Sequence, residues 1–363
     1  MELELSDDQE FFLETTRRFL EAESPLPTVR SLESSPEGFD RAWWRQGAEL
    51  GWTSMLVSEA DGGGSLSEHG LLDLVLVAEA QGELVSPGPL VPVNVVADAI
   101  SRLGTPAQKD AVLPGLLSGE GLATWTGIEP VDAVADGDEL VLSGAVAIVE
   151  AGAQADHLLV TVRTATGLGL ALVPAGADGL SVTPLRGLDL VRRFAAVSFD
   201  GVRAEPVGPA DGVGVERALG VAVVLQCAET VGVIQRVFDF TVEYLGDRYS
   251  FGRPLSSYQA LKHRIADDKT VLEASAAIAT AAATAVAGET SDAPQLVSAA
   301  KVWIGPQATE LIQDCVQHHG GIGVTWEHDL HLYLRRATVN RMLYGEPPWH
   351  AERIATDLLG VVA

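Results

Sequence analysis

Only two of the 363 residues are cysteine. Cys227 and Cys315 both lie in apolar, helix-spaced surroundings, which argues against a disulfide framework and for buried thiols in a reducing compartment. Positive charge is scarce too: 24 Lys and Arg stand against 50 Asp and Glu, a formal net charge of −26. Such a chain repels nucleic-acid phosphates and anionic membrane surfaces, so its few cations are expected at sites of use. No uncharged apolar run reaches the ~18 residues of a spanning helix, and the Ala/Thr-rich tract 274–288 is short and weakly apolar. Neither a nucleic-acid nor a membrane partner is expected. The opening Met1-Glu-Leu-Glu-Leu-Ser-Asp-Asp has no basic n-region and no apolar h-region, so a cytoplasmic location is expected. No glycine loop ends in Gly-Lys-Ser/Thr, which excludes a Walker-type phosphate site. His318, His319, His328 and His331 lack the His-x3-His pairing with a carboxylate that zinc usually demands, so no metal site is read from them.

The length allows two or three domains, and the chain has three textures. Residues 1–118 read as helical. Ser6-Asp-Asp-Gln caps a first helix with Phe11, Phe12, Phe19 and Leu20 on its apolar side. Trp43, Trp44, Leu50 and Trp52 follow, then the loop Glu59-Ala-Asp-Gly-Gly-Gly-Ser, and 71–84 resumes helical spacing. Across 119–210 the period becomes two, with short apolar strands at 140–142, 157–162, 168–173, 180–183 and 194–199 divided by Asp/Gly turns. Strands without intervening helices imply a small barrel or sandwich. From 211 to 363 long helices return. Val221, Val224, Ala228, Val231, Phe238, Val242 and Leu245 form one stripe, and further helices are expected at 256–287, 294–317 and 348–359.

Two passages follow the ends of such helices. Arg248-Tyr-Ser-Phe-Gly projects a guanidinium fork and an aromatic ring where a bulky anion or a flat ring can dock. Gln317-His-His-Gly-Gly-Ile-Gly offers a side-chain amide, and Gly320, Gly321 and Gly323 permit close approach to backbone N–H groups. Singly, each has a plain alternative: Arg248 capping its own helix, Phe251 as a local apolar contact, the glycines as a helix stop.

Taken together, these passages resemble the acyl-CoA dehydrogenase family of flavoproteins. So do the order helical, strand, helical, the segments Leu50-Gly-Trp-Thr-Ser-Met-Leu-Val and Gly62-Gly-Gly-Ser, the run Arg248-Tyr-Ser-Phe-Gly-Arg-Pro-Leu with Gln259, and Trp326-Glu-His-Asp-Leu. The likeness extends over nearly the whole chain. It implies an N-terminal helical domain, a middle β-barrel or sandwich and a C-terminal four-helix bundle, assembled as a tetramer with FAD across subunit contacts. By that likeness Arg248 binds the FAD pyrophosphate, Ser250 and Phe251 flank the cofactor, and Gln259 belongs to the same site. Gln317, Gly320 and Gly321 reach the FAD of a neighbouring subunit. The implied reaction is α,β-desaturation of an acyl-CoA thioester, with a carboxylate removing the α-proton as hydride leaves for the flavin.

The family's base occupies one of two places, and neither matches. The first falls on Ala222-Val223. The second falls on Gly345 in Leu343-Tyr-Gly-Glu-Pro-Pro, with Glu346 one position late. Glu346 stands as the catalytic candidate, with a helix N-terminal acid as its alternative role. Glu229 is a further buried-acid candidate, more simply read as paired with an arginine or histidine. In the middle domain Ile128-Glu-Pro replaces Thr-Glu-Pro, leaving Thr126 as the substitute hydroxyl for the flavin ring. Val149-Glu150 stands where relatives place an aromatic and a hydroxyl residue. The arginine pairs 192–193 and 335–336 are read as salt-bridged or solvated faces in preference to CoA-phosphate contacts.

These losses are similar to those of bacterial α2β2 acyl-CoA dehydrogenases acting on steroid side-chain CoA esters, in which one subunit supplies the base. Three readings follow: the base-poor subunit of such an enzyme, completed by a second dehydrogenase-like chain; a self-sufficient homotetramer using Glu346; or a non-redox acyl-CoA-binding protein or eliminase on the same scaffold.

Overall fold

The computed structural model describes residues 5–360, so the acidic start falls partly outside it, as do the last three residues. Helices α1 (Asp7–Glu23), α2 (Leu26–Ser31), α3 (Arg41–Glu49), α4 (Gly70–Glu83), α5 (Leu90–Leu103) and α6 (Pro106–Ser118) come first. The Ser6 hydroxyl accepts from the Gln9 backbone N–H in a full capping box, and Thr105 with Gln108 repeats the device at α6. Seven strands follow: β1 (Ala123–Trp125), β2 (Val131–Asp136), β3 (Glu139–Glu150), β4 (His157–Arg163), β5 (Leu168–Pro174), β6 (Leu180–Leu185) and β7 (Phe194–Val207). The chain ends with α7 (Val213–Asp247), a two-stranded ribbon of β8 (Tyr249–Ser250) and β9 (Arg253–Pro254), then α8 (Gln259–Ala287), α9 (Ala293–His319), α10 (Leu330–Met342) and α11 (Pro347–Leu359).

Close packing groups these elements into two compact units. One comprises Arg30–Leu74 with Pro87–Val223; the other comprises Val75–Ser86 with the stretches up to Val29 and from Val224 onward. In the first unit the strands close on themselves. β2 pairs with β3, β3 with β7, β7 with β5 and β5 with β4, all antiparallel, and a short parallel β4–β2 pairing shuts the ring. β1 adds to β4 and β6 to β7. Closure leaves few open edges, and the alternating inward residues Leu142, Val146, Leu158, Val160, Val173, Val197 and Phe199 fill the barrel.

In the second unit α9 packs against α8, α10 and α11. α4 and α7 cross at near backbone contact. A Cβ on Gly82 would stand 2.0 Å from the Glu229 carbonyl oxygen, and one on Gly232 would stand 2.0 Å from that of Glu79. Only glycine permits that approach.

The last block therefore holds five helices among the described residues, where the sequence pattern gave four. Helix α10 escapes the pattern because its buried face carries Arg336 and Asn340 among Leu330, Leu332, Tyr333 and Ala337, and so presents no apolar stripe. No uncharged run reaches the length of a spanning helix, but α7, interrupted by Glu229, and α8, interrupted by Glu273, are each long and on average apolar enough to span a membrane. The apolar stretch of α7 is 94% buried inside the protein, as a core helix is.

Candidate functional site

Helix α7 stops at Asp247, and Arg248 begins a tight ribbon. Tyr249 pairs with Pro254 and Ser250 with Arg253, while Phe251 and Gly252 make the turn with φ of 51° and 80°. Two positive φ values suit the twist of a two-residue hairpin, but the left-handed conformation costs a phenylalanine roughly 1–2 kcal/mol. The ribbon is held from outside. The Leu255 N–H donates to the Arg248 carbonyl at 2.8 Å, the Tyr258 hydroxyl donates to the Ser250 carbonyl at 2.8 Å, and the Arg253 guanidinium lies 3.8 Å over the Tyr258 ring. Phe251 emerges 98% exposed. The Arg248 side chain is exposed too, with no hydrogen bond or ion pair among the described residues. It does not cap its own helix.

The second passage closes α9. The Gly320 N–H bonds the Gln317 carbonyl, and residues 320–324 make a short 3-10 turn. The three glycines differ. A Cβ on Gly320 or Gly321 would meet nothing within 4 Å, whereas one on Gly323 would strike the Val316 carbonyl oxygen at 2.8 Å and the His319 Cβ at 2.9 Å. Gly320 and Gly321 leave the backbone open to an incoming group; Gly323 is glycine for internal packing, which corrects its reading as an approach point. The exposed Gln317 side chain has no partner among the described residues, and Val324 and Trp326 are 77% and 51% exposed.

One contact joins the two passages, and sequence reasoning missed it. Tyr244, one turn before Arg248, stacks on His319 at 4.3 Å, and its hydroxyl donates to the His319 carbonyl at 3.3 Å. The spacing Tyr244-x3-Arg248, which puts both on one helix face, was the available signal. His319 Nδ1 faces the Cys315 carbonyl at 2.8 Å and therefore carries the proton, while burial pushes the ring below its ordinary pKa. The histidines of this end make local contacts: His318 faces Asp268 at 3.6 Å, His328 meets the edge of His319, and His331 stacks on Trp326. The Tyr258 hydroxyl ties the start of α8, where Gln259 is the first residue, to the Ser250 carbonyl.

Comparison with known proteins identifies the family. Residues 6–120 match the family description "Acyl-CoA dehydrogenase, N-terminal domain" and residues 214–359 match "Acyl-CoA dehydrogenase, C-terminal domain". Acyl-CoA dehydrogenase FadE27 of Mycobacterium tuberculosis is 30% identical over 343 residues, 91% of each chain. The chain belongs to the acyl-CoA dehydrogenase family. Among solved structures, a variant of the Tcur3481-Tcur3483 steroid ACAD superposes with a TM-score of 0.89 at 30% identity over 98% of both chains. The ChsE4-ChsE5 complex from Mycobacterium tuberculosis gives 0.89 at 26% identity over 100% of both.

For a member of the acyl-CoA dehydrogenase family, the positions expected to carry the base are closed. Ala222 and Val223 are both 0% exposed inside α7. Gly345 has φ +95°, and a Cβ there would stand 2.6 Å from the Trp349 ring and 2.8 Å from His350 Nε2. The loop is clamped around that point. His350 Nε2 donates to the Tyr344 carbonyl at 3.0 Å, Nδ1 accepts from the Ser298 hydroxyl at 3.1 Å, and burial lowers the imidazole pKa to about 4. Lys301 Nζ donates to the carbonyls of Asn340 and Leu343 at 2.6 and 2.7 Å and to the Gln226 amide oxygen. Glu346 is exposed at the N-terminus of α11, where its carbonyl accepts from the His350 N–H and its side chain makes no cap bond. Glu229 is not free to act as a base: one oxygen accepts from Arg336 at 2.7 Å and the other from the Asn340 amide at 2.9 Å, all three buried.

The barrel unit is equally occupied where a flavin ring would meet it. Val149 is buried, and Glu150 forms a buried pair with Arg192 at 3.2 Å. Arg193 spends its guanidinium on the carbonyls of Leu32, Glu33, Ser35 and Leu190. The Thr126 hydroxyl is buried and accepts the Thr161 N–H at 3.3 Å inside the sheet. Arg192 and Arg336 are thus buried, Arg193 is half-buried with its guanidinium on backbone carbonyls, and Arg335 lies over Trp326 at 5.7 Å. The residues fit the dinucleotide end of FAD at the α7/α9 corner and do not fit the ring at this chain's own barrel.

Proposed function

We propose that this chain is the base-poor subunit of a heteromeric, FAD-dependent acyl-CoA dehydrogenase that desaturates CoA thioesters of steroid side chains. One observation carries the reading. The corner formed by Arg248, Phe251, Gln317 and Gly321 is open and uncommitted, while the position for a carboxylate at Gly345 is filled by the protein's own Trp349 and His350. The names of the two structural neighbours, a steroid ACAD and a two-component complex, support the substrate class and the pairing.

In this reading the flavin, when bound, accepts the hydride, and this chain's residues bind and orient. The Arg248 fork pairs bidentately with a diphosphate, at the modest cost of immobilising one exposed side chain. Gln317 and the backbone at Gly321 meet the adenosine end, and Phe251 lies against the cofactor or the partner subunit that holds it. The hairpin geometry presets that phenylalanine, so little ordering remains to be done on assembly. The partner subunit supplies the carboxylate base and the ring pocket.

Absorbance spectra of the protein purified alone and co-expressed with a second acyl-CoA dehydrogenase-like chain from the same organism test the proposal. The expected result is a colourless protein alone and a yellow, active complex together. A lone protein that is yellow and turns over acyl-CoA at the rate of the complex overturns it in favour of a homotetramer.

A further inference from the structure

A cleft of about 620 Å³ lies between α6 and the strands β4, β5 and β7, and none of the candidate-site residues described above lines it. One wall is α6, where Ala107 and Ala111 are four residues apart and therefore share a face, so the helix lines the slot with two methyl groups beside the amide of Gln108. The opposite wall is apolar as well, with Leu172 and Pro174 of β5. Gln108 anchors the helix beside the opening by donating to Glu205 Oε2 and to the Pro206 carbonyl, both at 3.1 Å.

The polar groups around this apolar slot are unbalanced. Glu139, Asp178 and Glu205 contribute three carboxylates against the single guanidinium of Arg203. Arg203 is already committed, one arm to Glu139 at 2.6 Å and the other to Asp136 at 2.7 Å. Asp178 has no hydrogen bond or ion pair among the described residues, and one Glu205 oxygen receives only a neutral amide. His157 lines the cleft with its Nδ1 closed off from solvent and without a hydrogen-bond partner. Burial lowers its pKa, so at neutral pH the ring adds no positive charge to offset the carboxylates. The volume falls in the range of small-molecule sites, and apolar walls with few convergent polar groups are their usual construction.

We propose that this cleft binds a small organic cation, an alkylammonium or alkylguanidinium compound, with its chain along Ala107, Ala111, Leu172 and Pro174 and its head group at Asp178 and Glu205. A carboxylate or phosphate ligand is disfavoured by the same residues and by the net charge of the chain. The site is independent of the flavin reading.

Calorimetric titration of the full chain with putrescine and with agmatine at low ionic strength tests it. The expected result is saturable one-to-one binding, absent with succinate, a dianion of the same length as putrescine. Asp178→Asn, at an exposed turn, is expected to weaken binding about tenfold, the effect of losing one close charge interaction in a half-open site. Ala111→Trp, on a solvent-facing position of α6, is expected to fill the slot and abolish binding, with a melting curve as the check on folding. Absence of saturable binding by both cations, binding unchanged in Asp178→Asn, or succinate bound as well as putrescine overturns the proposal.

Discussion

Gly321 and Gly323 stand two residues apart in one turn and meet opposite surroundings. The first has no positive φ and open space where a Cβ would go; the second is buried against Val316 and His319. Gly321→Ala is therefore expected to leave the melting temperature unchanged while reducing flavin retention in the proposed complex with a partner subunit, because the added methyl stands where the proposed ligand would approach. Gly323→Ala is expected to cost about 1–3 kcal/mol of stability through overpacking. Thermal melts and flavin absorbance of both variants check the pair, and equal loss of stability would remove the distinction. The sequence marked all three glycines alike, since residue type records freedom but not what fills the space around it. It did anticipate that Glu229 would be taken by an arginine or a histidine, because a buried carboxylate in an apolar helix face needs a partner, and Arg336 is that partner. It could not anticipate that Glu150 and Arg192, 42 residues apart, would bury each other.

At the scale of elements, the long helix α7 was legible because its stripe is strong and its end is marked by polar residues. Helix α10 and the β8–β9 ribbon were not: the first hides polar residues on its buried face, and the second is too short to show a period of two. The α4/α7 crossing was invisible for a further reason, that two glycines far apart in sequence meet only in the fold. Its strength can be measured on one helix. Gly232→Ala drives a methyl into the Glu79 carbonyl and is expected to lower stability by about 3 kcal/mol or more, since both backbones must move apart. Gly246→Ala lies on the same helix with nothing within 4 Å, so it is expected to be neutral or stabilising by up to ~1 kcal/mol through helix propensity. Chemical denaturation of the two variants checks the contrast; similar values would mean that the crossing is looser than the structure has it.

For the whole molecule, the succession of helical, strand and helical blocks was readable from periodicity alone. The grouping into two compact units was not, because α4 and α7 each contribute residues to both. Charge acts at this scale, and it gives the acid limb of stability a definite sign. His157, His319 and His350 all have lowered pKa values, in each case first through burial. Unfolded, they return to about 6.5, so between the two values the unfolded chain binds more protons and stability rises with pH. Their contribution is complete above about pH 6.5 and is lost as pH falls toward the folded values. For His350, moved from 6.5 to about 4, the full loss is about 3 kcal/mol. Two effects oppose it. Burial raises the pKa of Glu79 above 4.5, so that group favours the folded state as pH drops, and protonation of carboxylates relieves the repulsion of a chain carrying −26. Relief of that repulsion comes chiefly near pH 4–5, below where the histidines begin to act. The melting temperature is therefore expected to be flat from pH 8 to 7 and to fall from about pH 6.5 downward. His350→Gln is expected to melt lower at pH 7 but to show a shallower fall, because the variant lacks the group whose protonation the folded state refuses. A melting temperature that rises between pH 6.5 and 5 would mean that relief of charge repulsion outweighs the buried histidines.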